Sequence, residues 1–343
     1  MTRLLIGGYS GSKGAGHGIT VLEDDDVIAT IPADSPSWLT RHPSLPVVYA
    51  VAETDEGHVH AWGLEDGAPA KPLGTGETGG AEPAHLTVDP SGRFLITANY
   101  SGGSISVHRL GPDGSIGERT DLVRHEVHGE HPRQDAAHPH MVLAMADGLL
   151  VTDLGGDAIY RYQLSPEGKL TLSGVIVTPR GSGPRHVLAV EVRGVHGGPA
   201  PRGYRYYVTA ELSGQVLLYD SGQQLAGAVP ASALPGPNQP SELVSNGRYL
   251  YVANRGPNTV AVFDLAGGSG GSSPHGDTAG GLPRYVTEVS TGDWPRHIAL
   301  DGDLLYVANE RSHEVTRMEI DPATGIPAHR RTIKVPSPTL VLP

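Results

Sequence analysis

Apolar residues recur along this chain in short bursts of period two, without the three-to-four spacing of helices. Seven segments alternate over about seven residues each: GITVLED from 18, HVHAWGL from 58, SISVHRL from 104, AIYRYQL from 158, QVLLYDS from 215, TVAVFDL from 259 and EVTRMEI from 314. Alternation of this length marks half-buried antiparallel strands. A denser apolar run stands ahead of each. Six are VVYAVAE ending at Glu53, FLITANY at Tyr100, LLVTDL at Leu154, YYVTAEL at Leu212, YLYVANR at Arg255 and LLYVANE at Glu310; LLIGGY at 4–9 has the same character. Before the dense runs comes Pro-x-x-aliphatic: P-S-W-L from Pro36, P-A-H-L from Pro83, P-H-M-V from Pro139, P-R-H-V from Pro184, P-S-E-L from Pro240 and P-R-H-I from Pro295, with P-T-L-V from Pro338 as a last, degenerate copy. Weaker fourth strands follow, such as VIATI at 27–31 and LTLSGVIV at 170–177.

The turns agree: DPSGR at 89–93 joins a first strand to a second, and GPDGS at 111–115 joins a third to a fourth. A unit of four antiparallel strands repeated radially is a propeller blade. The expected fold is therefore all-β, a single seven-bladed β-propeller over residues 1–343 with four antiparallel strands per blade. The split repeat predicts how the ring closes. PTLVLP would be the innermost strand of a blade begun by residues 4–31, so the N- and C-terminal strands complete one blade and remove two exposed sheet edges. GGSGGSSPHGDTAGGLP, 267–283, reads as a flexible insert and RGVHGGPAPRG, 193–203, as a long hairpin tip.

Composition narrows the functional classes. The 47 Gly and 29 Pro among 343 residues suit many tight turns. A net charge of −12 argues against nucleic acid or an anionic membrane as partner and leaves a small molecule, anionic only where local Arg overrides the field. With no Cys, disulfides and thiol chemistry are excluded. The apolar run LLI near the start is shorter than a signal-peptide core, and no stretch approaches the roughly 18 residues that span a membrane; a soluble cytoplasmic protein is expected.

Because successive strands are antiparallel, the start of each first strand and the end of each second strand fall at one end of the sheet. The Pro-x-x motifs and the A-N, A-E and T-D pairs thus converge on one mouth of the channel. First-strand starts bring His85, His138, His140, Arg185, His186, Glu242, Arg296 and His297; second-strand ends bring Glu53, Asn99, Asp153, Glu211, Asn254, Arg255, Asn309 and Glu310. Such a ring suits proton transfer with stabilisation of an anion. Asn99, Asp153, Asn254 and Asn309 read as groups that satisfy loop backbone, and Glu53, at a blade edge in this count, as structural or solvated. Arg185, Glu211 and Arg255 read as functional, since guanidinium groups near the axis are costly unless paired. HEVHGEHPRQDAAHPH, 125–140, holds five His. Spacing along a loop defines no coordination geometry, so the segment reads as a lid or substrate-positioning loop, with His125, His128 and His131 solvated and no metal expected.

Together RQDAAHPHMV at 133–142, GPRHV at 183–187, AELSGQV at 210–216 and VANRG at 252–256 resemble the seven-bladed propeller lactonase family, which includes bacterial propeller-type 6-phosphogluconolactonases and fungal carboxy-cis,cis-muconate cyclase; the likeness runs from LLIGGYS to P-R-H-I-A-L. The resemblance implies an active site of Arg185, Glu211, Arg255 and a His of the H-P-H segment. His138 and His140 both remain open, with His140 preferred as nearer the strand start. His85, His138, His186, Glu242, Arg296 and His297 are the implied substrate neighbours. The implied reaction is metal- and cofactor-independent hydrolysis of a sugar lactone, 6-phosphogluconolactone or a related aldonolactone. Glu211 or the histidine would deprotonate water, Arg185 or Arg255 would stabilise the oxyanion, and Arg296 among the remaining basic groups would hold a phosphate or carboxylate. No acyl-enzyme nucleophile is evident, with Cys absent and no Ser elbow between strand and helix. The rival readings are a muconate-type cycloisomerase using the same ring, a non-catalytic propeller binding platform, and a metal-dependent gluconolactonase-type propeller.

Overall fold

A computed structural model of the chain describes residues 3–65, 69–192, 203–266 and 281–343. Its described residues form seven four-stranded antiparallel sheets, and no helix among them is long and apolar enough to cross a membrane. The insert expected at 267–283 and the hairpin tip at 193–203 fall almost wholly outside these residues. Blade 1 is ordered Pro338–Leu342, Arg3–Gly8, Gly18–Glu23, Asp26–Pro32, so the two ends of the chain share a sheet. Leu5 pairs with Leu342 and Ile6 with Val341, as the split repeat predicts. The alternating segments begin their strands where the pattern places them, at Gly18, His58, Ser104, Ala158, Gln215, Thr259 and Glu314.

First strands line the channel, each touching the first strand of the next blade around a complete circle. The blades that carry the candidate residues of the channel mouth are blade 3 from Pro83, blade 4 from Pro139, blade 5 from Pro184, blade 6 from Gln239 and blade 7 from Pro295. The core is distributed between blades. Each of its seven clusters joins two neighbouring sheets, and the cluster of Leu4, Ile6, Leu22 and Val341 with Tyr306, Ala308 and Val315 closes blade 1 onto blade 7. Each buried aliphatic side chain in such a layer contributes roughly 1.5–3 kcal/mol. Fourth strands are the wet edges: Asp26–Pro32 buries only Ile31.

Two local devices repeat. In blades 2 to 7 the residue before the third strand is left-handed: Gly57, Gly103, Asp157, Gly214, Asn258 and His313. Glycine takes this conformation freely, and Asp and Asn tolerate it through local side-chain bonds. At the start of the first strand, blades 3 to 7 share a β-bulge, for instance between Pro184 and Val187. A bulge lifts the strict in–out alternation and re-aims the side chains beside it.

Closure yields a test. Val341 is 1% exposed between blades 1 and 7, whereas Val27 on the outer strand of blade 1 is 53% exposed. Val341→Asp should destabilise by more than about 3 kcal/mol through an uncompensated buried charge, and Val27→Asp by less than about 0.5 kcal/mol. Urea denaturation compares them; equal effects would refute closure by the terminal strand.

Candidate active site

The chain delivers Arg185 to the channel through a clamped turn. Left-handed Asp157 accepts hydrogen bonds from the backbone N–H groups of Gly181 (2.6 Å) and Gly183 (2.8 Å), immediately before Pro184. Gly183 O accepts the N–H of Glu211 (2.9 Å), which ties the turn to the end of the second strand. Thr152 Oγ1 donates to Arg185 O (2.6 Å), and Arg185 Nη1 donates to Ser241 O (2.6 Å) in the next blade. Within the bulge both Arg185 and His186 are buried. Arg255 ends the second strand of blade 6, and its Nε donates to Gln239 O (3.0 Å).

These turns bring Arg185, Glu211 and Arg255 together at one mouth. Arg185 Nε lies 3.1 Å and Arg255 Nη2 2.8 Å from Glu211 Oε2, while Arg133 Nη1 lies 2.5 Å from Glu211 Oε1. One carboxylate therefore faces three guanidinium groups. Burial alone would raise the Glu211 pKa, but Arg255, Arg185 and Arg133 together hold it down at about 2. Burial and repulsion from Arg255 bring Arg185 down to about 9. Glu211 is thus an ionised anchor and a poor proton acceptor.

Near this charge cluster stands a group of imidazoles gathered around Trp38 and His186. The Trp38 ring packs against His85 (4.2 Å between centroids), His186 (5.2 Å) and His297 (5.2 Å), and His186 stands 5.1 Å from His140. Burial, then neighbouring cationic groups, push His85 and His140 well below the usual histidine value, and His186 likewise; His297 falls to about 4, with Glu242 opposing the shift. The N–H groups of Val142 and Val341 donate to Nδ1 of His85 and His297, which fixes those nitrogens as acceptors. Glu242 Oε2 lies 2.7 Å from His186 Nδ1 and 3.8 Å from His297 Nε2, and burial raises its pKa. No hydrogen bond from the protein reaches the buried His140 Nδ1.

Arg296 occupies a different part of the mouth. It contacts Tyr9 Oη and lies 3.6 Å from Glu310, while Tyr9 Oη donates to Glu53 Oε1 (2.8 Å). His138, outside the strand, stacks on Tyr100 at 4.5 Å and turns Nε2 to Asp135 (3.2 Å). Asn99, Asn254 and Asn309 bond neighbouring loop and strand groups, and Asp153 accepts the N–H groups of His138, Gly155 and Gly156. Glu53 is buried and structural, bonded by Ser37 and Tyr9. His128 and His131 are exposed, but His125 corrects the expectation of a solvated loop: its side chain is 3% exposed, 2.6 Å from Asp153 and 2.9 Å from Tyr162 Oη. Sequence reasoning singled out neither Arg133 nor Trp38. Trp38 stood in the third position of its own Pro-x-x motif, and Arg133 opened the RQDAAHPHMV segment. Among the described residues no group of three or more His, Asp or Glu side chains is disposed to hold a metal ion.

A family model described as lactonase, 7-bladed beta-propeller, matches residues 3–343. The 6-phosphogluconolactonase of Bacillus subtilis is 28% identical over 324 residues, covering 90% of this chain and 86% of its own length. That of Formosa agariphila is 28% identical over 310 residues, covering 84% and 82%. The solved structure of Pseudomonas aeruginosa periplasmic gluconolactonase is 26% identical and superposes with a TM-score of 0.84, covering 99% of this chain and 98% of the other.

The imidazole layer sets a pH dependence of stability. The four His bind protons below about 6.5 when unfolded but stay neutral when folded, so their contribution is whole above pH 6.5 and is lost as pH falls towards the depressed values. Glu242, raised by burial, opposes this as one group against four. Thermal midpoints should fall from pH 7 to 4.5, and His297→Gln should flatten the slope. A level or rising midpoint would refute the neutral layer.

Proposed function

The chain belongs to the lactonase family of seven-bladed β-propellers, and from that premise we propose that it hydrolyses an aldonolactone at the Glu211 mouth, with 6-phosphogluconolactone as the leading substrate. The observation that carries the reading is the shared carboxylate: Glu211 holds Arg185 and Arg255 in fixed positions, with His140 beside them. The relatives named 6-phosphogluconolactonase support the phosphorylated substrate.

In this reading the lactone carbonyl oxygen faces Arg185 and Arg255. Their guanidinium groups stabilise the negative charge that develops when water attacks the carbonyl carbon. The pKa of Glu211 at about 2 leaves it too weak a base for the proton, so the role falls to His140. Burial and the nearby Arg185 keep this imidazole neutral at pH 7, with a free electron pair. His140 takes one proton from the attacking water. The imidazolium so formed sits among cationic groups and is strongly acidic. It therefore returns the proton to the ring oxygen as the C–O bond breaks, giving the open hydroxy acid. Glu242, 2.7 Å from His186, and the Trp38 stack hold the imidazoles in place behind His140.

Turnover of phosphorylated and plain aldonolactones, corrected for spontaneous ring opening, tests the assignment. Arg185→Ala and Arg255→Ala should each lower kcat by on the order of a hundredfold or more. Glu211→Gln should lower it comparably by releasing both guanidinium groups, and His140→Gln should abolish the base. Unchanged turnover in folded variants, or conversion of a muconate-type acid in place of lactones, would overturn the reading.

A further inference from the structure

The cationic groups at the mouth differ in how their charge is balanced. Around Arg296 the carboxylates outnumber the cations: Glu310 lies 3.6 Å from Arg296, Glu53 reaches it through Tyr9 Oη, and Lys13 lies 2.5 Å from Glu82 and 3.5 Å from Glu53. An incoming anion would find the Arg296 charge already matched by carboxylates. Arg133, Arg185 and Arg255, by contrast, have Glu211 as their one ion-pair partner among the described residues, three positive charges against one negative. That shortfall of two matches a phosphate monoester, which carries about −1.5 to −2 at pH 7.

Only one of these three guanidinium groups meets solvent. The Arg133 side chain is 41% exposed, against 4% for Arg185 and 5% for Arg255. Arg133 comes from the connection between blades 3 and 4, and that connection is anchored on both sides. Gln134 is fully buried, with Nε2 donating to Leu154 O (2.8 Å) and Oε1 accepting the His131 N–H (3.2 Å); His125 is locked to Asp153. Arg133 Nη2 also donates to Tyr100 Oη (3.3 Å). A planar donor fork on a fixed loop, at the rim of a site short of two negative charges, is built for an oxyanion.

We propose that Arg133, not Arg296, is the specificity-determining residue that grips the anionic arm of the substrate, a phosphate monoester, while Arg185 and Arg255 below serve the reacting carbonyl. The assignment rests on the lactonase reading for its substrate, but anion binding itself is separable from hydrolysis. Inorganic phosphate is titrated calorimetrically into the wild type, Arg133→Gln, Arg133→Glu and Arg296→Gln. In parallel, the ratio of kcat/KM for a phosphorylated aldonolactone to that for its plain counterpart is measured for each. Arg133→Gln should weaken phosphate binding and lower that ratio by about 10- to 100-fold, Arg133→Glu by more, and Arg296→Gln should lower the ratio by less than about threefold. An unchanged ratio with undiminished phosphate binding in folded Arg133→Gln would overturn the proposal, as would a larger loss in Arg296→Gln. If the wild type opens neither lactone, the lactonase reading fails, while Arg133-dependent phosphate binding would still uphold the anion site.

Discussion

The pairing of Pro338–Leu342 with Arg3–Gly8 is the constraint on which the remaining geometry rests, because a propeller places distant segments face to face only when its ring is complete. Blades 4, 5 and 6 supply His140, Arg185 with Glu211, and Arg255. These are separated by scores of residues and meet because each first strand is wedged between two neighbours. An open stack of the same sheets could splay and let those distances drift. The closed ring cannot widen without breaking an apolar layer between two blades, and each layer holds about ten side chains (for instance Tyr249, Tyr251, Val262 and Val307). Rigidity in the sheets is what allows groups with little intrinsic reason to be near one another to be held in contact.

That rigidity is needed because the site is electrostatically unfavourable in isolation. Removing Arg185 and Arg255 from water is expensive, and their mutual repulsion adds to the penalty, as the fall of the Arg185 pKa to about 9 reflects. Glu211 compensates both, but it can do so only because backbone carbonyls of Ser241 and Gln239 take further guanidinium protons. Replacing the cluster with apolar side chains would be expected to stabilise the fold. A buried cluster of this cost, with strongly shifted pKa values, marks a candidate functional site.

The strand framework was legible in the sequence because a half-buried strand writes its two faces directly into alternating residues, and all seven third strands start where the alternation starts. The mouth was legible for a related reason: antiparallel order fixes which strand ends share an edge, so Arg185, Glu211 and Arg255 could be gathered without knowing any distance. What escaped notice depends on contacts with no local signature. His125 is buried by Asp153 and Tyr162, partners far along the chain. Arg133 lies in a connection without periodicity, where nothing in the local sequence tells a solvated Arg from one that reaches Glu211. Trp38 stands immediately before the shortest first strand, Leu39–Arg41, and its place is defined by three histidines from three other blades. Arg296 shows the converse. Its motif matched that of Arg185, yet the two differ in charge balance because their neighbours differ: Glu310 and Tyr9 beside Arg296, Glu211 and Ser241 beside Arg185.

In the proposed reading, one mouth would both attract an anion and accept a proton. A histidine placed directly among three uncompensated guanidinium groups would be useless as an acceptor, because its protonated form could not survive even briefly. Glu211 removes one of those charges, and a phosphate monoester seated on Arg133 would offset part of the remainder. The electrostatic penalty on protonating His140 would therefore be smallest when the anionic arm is seated. On those assignments, substrate charge and base strength would be coupled through the same cluster. A phosphorylated lactone would thus gain in the chemical step as well as in binding, whereas a plain lactone would meet His140 in its weakest state.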